Sequence, residues 1–168
     1  MEQFIRDIKV ATIYEGTTGI QSIDFVRRKI LGDQAKTLTM KLDVLDKLIG
    51  EIDDQVFNEE KQILLEALEL AKGLRKELLG WAKDKKLNKI LEHCNNILEV
   101  YGRIIMVGPV LEHANLAKSQ IGQCEESEKE FLQTKIDDFS CYVKMHLTPV
   151  FGYIREIRYN ASIDNLAI

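Results

Sequence analysis

Leu87, Ile90, Leu91 and Cys94, and then Cys94, Ile97, Leu98 and Tyr101, twice repeat the positions i, i+3, i+4 and i+7. Side chains at that spacing share one face of an α-helix, whereas a strand would need apolar residues at every second position. The same signature recurs along the chain. Leu38, Leu42, Leu45 and Ile49 step by four, three and four, and Ile63, Leu64, Ala67, Leu68, Ala71, Leu74 and Leu78 make a longer stripe. Leu111, Ala114, Ala117 and Ile121 form another, and Leu132, Ile136, Phe139, Val143 and Leu147 one more. β-Branched residues seldom cluster with a period of two, so the pattern predicts an all-α fold: an antiparallel helical bundle of about six to eight helices.

Local signals set the expected boundaries. Phe4, Ile5 and Ile8 suggest a short first helix from Glu2 to about Ala11, followed by a break at "YEGTTG". A second helix opens near Thr17 or Thr18, whose hydroxyls suit an N-cap, and stops at Gly32. Gly50 and "EIDD" end the third helix. Glu59 and Glu60 sit near the start of the fourth, where a helix dipole favours acids, and that helix runs to Gly80 or Trp81. Gly108 and Pro109 stop or kink the fifth before a sixth begins. Ser127 with Glu130 fits a capping box for a seventh, Pro149 ends or bends it, and the last segment reads as one more short helix and a tail.

At 168 residues the chain has the size of one ordinary domain, enough to bury roughly two-thirds of the surface its unfolded form exposes. Its 23 basic side chains are spread along the sequence against 27 acidic ones, for a net charge of -4, which argues against a nucleic-acid partner. No apolar run approaches the roughly 20 residues of a membrane span, and "MEQFIRDIKV" is no secretory signal, so a cytoplasmic protein is expected. "KDKK" at Lys83 to Lys86 reads as a solvated turn, with attraction to a membrane surface as the second reading.

Cys94, Cys124 and Cys141 are widely spaced and predict buried free thiols rather than disulfides. His93, His113 and His146 lack metal-ligand spacing, so no metal site is expected. Cys94 lies on an apolar stripe, so an inert thiol is expected there rather than a nucleophile activated by His93; His146 near Cys141 raises the same question.

The break at residues 14–19 has no such packing rationale. A glutamate beside a helix start can simply cap or sit in solvent near the dipole. Yet Arg6 and Asp7, then Tyr14, Glu15, Gly16 and Thr17, then Ile20 and Gln21 stand at spacings that closely resemble the acyl-CoA dehydrogenase family. The match covers about the first 32 residues, and Lys9 replaces an arginine that many members carry. The resemblance implies that Glu15 is the catalytic base, removing the proton next to the thioester carbonyl while a hydride leaves the adjacent carbon for FAD. It also implies that the Glu15 main-chain N–H hydrogen-bonds the thioester oxygen. Gly16 then allows close backbone approach to substrate, while Thr17, Thr18, Gly19 and Gln21 contact FAD. Tyr14 lines the acyl pocket or packs in the core, and Arg6 and Asp7 brace the loop.

Residues 33–168 resemble, by pattern and position, the carboxy-terminal helical extension of longer bacterial members; residues 1–32 would then end the family's carboxy-terminal helical domain. Family enzymes place a helical domain and a β-barrel ahead of this point, so the resemblance implies an excised piece or a truncated gene product, inactive alone and poor at holding FAD. It also implies acyl-CoA as substrate, an electron-transfer acceptor and a homo-oligomer as partners. The competing expectation is a free-standing helical interaction module that keeps the Tyr-Glu-Gly-Thr stretch only as scaffold.

Overall fold

The computed structural model describes residues 2, 3, 6, 9, 18–52 and 54–163. Among them every regular element is helical, in the all-α bundle the apolar spacing predicts. Glu2, Gln3, Arg6 and Lys9 are helical, and Arg6 pairs with Glu2 across 3.4 Å. Helix α1 spans Thr18–Asp24 and continues as a wider π-helix over Phe25–Leu31. Then follow α2 (Lys36–Gly50), α3 (Asp54–Lys83), α4 (Leu87–Glu92), α5 (Cys94–Gln120) and α6 (Glu126–Tyr142). A second π-turn, Val143–Leu147, leads into α7 (Thr148–Ile163).

The stripes named above become the core. Leu38, Leu42, Leu45 and Ile49 bury the inner face of α2, and Leu64, Leu68, Ala71, Leu74 and Leu78 that of α3. Helix α5 is the centre: it packs against α1, α2, α3, α6 and α7, with Ile97, Val100, Tyr101, Val107 and Leu111 fully buried. Each large aliphatic side chain taken from water contributes roughly 1.5–3 kcal/mol, which drives the stripes together. Phe57 and Phe139 meet edge to face, with ring centroids 4.9 Å apart, where the φ of -125° at Phe57 bends the start of α3. Polar ties lock the packing: the buried Tyr101 hydroxyl donates to the Ala71 carbonyl at 3.2 Å, and Arg158 of α7 forks onto Glu77 of α3.

Several local expectations are corrected. The π-helix does stop where expected, with Gly32 as its C-cap, but Gly32 has an ordinary φ of -63° and the left-handed residues are Gln34 and Ala35, at 55° and 58°. Asp33 instead helps start α2, its Oδ2 accepting the Thr37 N–H at 3.0 Å, and that hydrogen bonding holds its carboxyl below the ordinary carboxylate range. Pro109 neither stops nor splits its helix, so the sixth stripe continues the fifth within the single helix α5; the fifth is broken instead at His93, which leaves Leu87, Ile90 and Leu91 on the separate helix α4. A proline inside a helix costs roughly 3 kcal/mol. Pro109 is exposed, while Val107 and Leu111 on either side are fully buried, so continuous packing outweighs the local defect.

The expected capping box does not form. Helix α6 starts at Glu126 after Glu125, without a side-chain cap, which leaves Ser127 inside the first turn beside the dipole-favoured Glu126 and Glu128. Around Pro149 the chain stays helical by widening into the π-turn just before it. Helix α3 extends to Lys83, and the basic turn is exposed, with Lys85 at a φ of 60°. Glu59 and Glu60 lie deeper in α3 than a first turn and hold Lys144, at 2.7 and 3.3 Å. Of the thiols, Cys94 is buried and pushed up in pKa by that burial, Cys124 is half-buried, and Cys141 is exposed, against expectation.

Candidate functional site

Tyr14, Glu15, Gly16, Thr17 and Asp7 lie outside the described residues. The structure places the rest of the predicted site, Thr18, Gly19 and Gln21, together on the first turn of α1, all three exposed. A methyl group built onto Gly19 would meet nothing within 4 Å, so the chain's own packing does not demand glycine there. Beside them Ile20 and Ile23 are 63% and 39% exposed, which gives this end of α1 an uncovered face that mixes apolar and polar groups. The opposite face carries Ser22, Val26 and Ile30 at four-residue steps, all fully buried. Thus α1 is anchored by one side and presents the other.

The anchor has a polar component. The Ser22 hydroxyl stands 2.9 Å from the Gly19 carbonyl oxygen and 2.6 Å from Oδ1 of Asn95, at the head of α5. Asn95 sits there because the run of helix breaks at His93, where φ is -107°, and restarts at Cys94. Farther along, Arg27, Arg28 and Lys29 are exposed on the π-helix, and Asp24 accepts from Arg28 at 2.7 Å and raises its pKa.

Sequence reasoning missed both Ser22 and Asn95. The available signal was a serine in step with Val26 and Ile30; its partner, 73 residues away, leaves no local trace.

A concavity of about 300 Å³ lies between α5 and α6 and is lined by Val110, His113, Lys135, Asp138, Cys141, Tyr142 and His146. Along it Lys135 pairs with Asp138 at 3.0 Å, the Tyr142 and His146 rings stack 5.0 Å apart, and the Tyr142 hydroxyl donates to the Arg103 carbonyl at 2.9 Å. The Cys141 sulfur lies 3.4 Å from that of Met145. Among the described residues no group of three histidine, cysteine or acidic side chains is arranged to hold a metal ion. No helix among them is long and apolar enough to cross a membrane.

No protein-family model matches the chain. Over 82 residues, 48% of its length, the chain is 33% identical to the broad-specificity linear acyl-CoA dehydrogenase FadE5 of Mycobacterium tuberculosis. The matched stretch is 13% of that relative's length. The similarity thus falls on the enzyme class to which the spacing of Arg6-Asp7, Tyr14-Glu15-Gly16-Thr17 and Ile20-Gln21 also points.

Proposed function

We propose that the chain is the carboxy-terminal part of an FAD-dependent acyl-CoA dehydrogenase, with residues 1–32 completing its catalytic helical domain and residues 33–168 forming an appended helical domain. The observation that carries this reading is the run of eight positions from Arg6 to Gln21, joined by the partial identity to an acyl-CoA dehydrogenase.

Glu15 is the base in this reading. Once substrate displaces water, its carboxylate loses solvation and its pKa rises, which makes it a stronger base toward the C–H next to the thioester carbonyl. The Glu15 N–H donates to the thioester oxygen as enolate character develops. Gly16 adds no side chain between backbone and thioester, and Tyr14 borders the acyl chain.

FAD, when bound, accepts the hydride released from the adjacent carbon. The residues available for holding it suit such a ligand, since Thr18 and Gln21 offer exposed hydroxyl and amide groups and Gly19 lets a bulky group approach without a Cβ. Thr17 completes this set. An electron-transfer acceptor reoxidises the enzyme, and further copies of the chain complete a homo-oligomer.

The test is Glu15→Gln in the complete enzyme. Acyl-CoA oxidation is expected to fall by at least about 10²–10⁴-fold, with the flavin absorbance retained. Unchanged turnover removes Glu15 from the mechanism, and a complete wild-type protein that purifies without flavin removes the function.

A further inference from the structure

Ser22 has one proton and two acceptors at hydrogen-bonding distance. Its hydroxyl lies 2.9 Å from the Gly19 carbonyl and 2.6 Å from the Asn95 carboxamide oxygen, and Ser22 itself is fully buried. An oxygen facing it from each side would leave one close pair of oxygens without a proton between them, unfavourable at a hydroxyl that water does not reach, although Asn95 itself is exposed. Turning the Asn95 carboxamide over resolves the conflict. Its NH₂ then donates to Ser22 Oγ, and the Ser22 proton goes to the Gly19 carbonyl, so that every group in the chain of hydrogen bonds is used once.

The direction matters because of where the chain of hydrogen bonds ends. Gly19 follows Thr18 directly and stands two residues before Gln21, so its peptide plane orients the turn that carries the proposed flavin contacts. On the other side, Asn95 belongs to α5, the most heavily packed helix of the bundle. We infer that Asn95, acting through Ser22, is a positioning residue that fixes the first turn of α1 against the bundle and thereby sets flavin affinity. The inference rests on the flavin reading above and gives the helical domain a direct share in it.

Asn95→Asp separates direction from bulk. It keeps the shape, but a carboxylate only accepts; it takes the Ser22 proton and leaves the close contact between Ser22 Oγ and the Gly19 carbonyl without one. Asn95→Ala and Ser22→Ala remove the relay outright. Amide hydrogen exchange in the 168-residue chain is expected to quicken about fivefold to tenfold across residues 18–24 in all three variants, without change in α6 or α7. In the complete enzyme, each variant is expected to bind FAD about tenfold more weakly. Excess FAD restores turnover, and the pH profile set by Glu15 does not move.

Asn95→Asp matching the wild type in both exchange and FAD affinity, while Asn95→Ala differs, shows that only bulk is needed and overturns the inference. So does a turnover loss that excess FAD leaves in place. A wild-type enzyme without flavin overturns the proposed function and this assignment together, whereas a flavin-loaded wild type with an unaffected Asn95→Asp variant overturns this assignment alone.

Discussion

Helices α1 and α5 touch, yet their residues answer to different demands. Along α5, Ile97, Val100, Tyr101, Ile104, Val107, Leu111 and Ala114 make an unbroken buried stripe, strong enough to carry a proline through the helix interior. Along α1 and the π-helix that continues it the buried side is short, Ser22, Val26 and Ile30, while Ile20 and Ile23 face outward and Gly19 stands where any small residue would fit. Packing accounts for the residue types in α5. At the head of α1 it accounts for Ser22 but not for its neighbours, and the proposed substrate and flavin contacts supply the missing reason. The chain therefore joins a self-explaining scaffold to a turn whose sequence looks outward.

That contrast is broken most directly by truncating one apolar side chain in each kind of place. Phe139 is fully buried against Phe57, so Phe139→Ala is expected to destabilise by about 3–5 kcal/mol. Ile20→Ala, at a residue 63% exposed, is expected to stay within about 0.5 kcal/mol. Urea denaturation of the two variants reads the difference; equal losses would mean that the head of α1 belongs to the core after all.

A buried charge gives the next largest effect, with a sign that pH can check. Burial acts to raise the Glu60 pKa, but its own backbone N–H, the Ser140 hydroxyl and Lys144 outweigh that, and the net shift is downward from 4.5. A carboxyl whose folded pKa lies below its unfolded one stabilises the fold above the unfolded value. It loses that contribution as pH falls through the folded value. Glu60→Gln is therefore expected to lower stability by about 1–2 kcal/mol at neutral pH and to converge on the wild type in acid. A gap between the two that stays constant down to low pH would show that size, not charge, is at work. The same comparison made for Asp33, which is half-buried, should show a dependence of the same sign.

These contrasts also explain what the sequence disclosed. The α2 and α3 stripes and the buried face of α5 were legible because helical spacing is a local property and the residues on it are uniformly apolar. Pro109 misled because the rule for proline is local as well, while the compensation comes from neighbours on α1, α2, α6 and α7. Ser127 and Glu130 have the spacing of a capping box, but the helix begins a residue before Ser127 could serve as its cap, with acids already suited to the dipole. At the head of α1, Thr18, Gly19 and Gln21 are exposed, so packing does not fix their identity. The link from Ser22 to Asn95 was invisible, since it depends on two elements meeting that lie 73 residues apart.

A pair of glycines sharpens the comparison with the smallest expected change. Gly102 is exposed in the interior of α5, Gly19 is exposed in the first turn of α1, and a Cβ at either would meet nothing within 4 Å. Neither has a positive φ, so alanine fits both backbones. Because alanine lowers the entropy of the unfolded chain and favours helix, Gly102→Ala is expected to stabilise by about 0.4–1 kcal/mol, and Gly19→Ala by less, at the frayed end of its helix. Stability alone thus makes both glycines poor choices. If α5 is scaffold and the head of α1 is a contact surface, thermal denaturation should rise for both variants while FAD affinity in the complete enzyme falls only for Gly19→Ala. Gly102 then costs the bundle a little stability with no return, as natural sequences tolerate, whereas Gly19 is kept for the ligand that approaches it. Undiminished FAD affinity in Gly19→Ala would assign both glycines to the same indifferent class and leave Thr17, Thr18 and Gln21 as the flavin contacts.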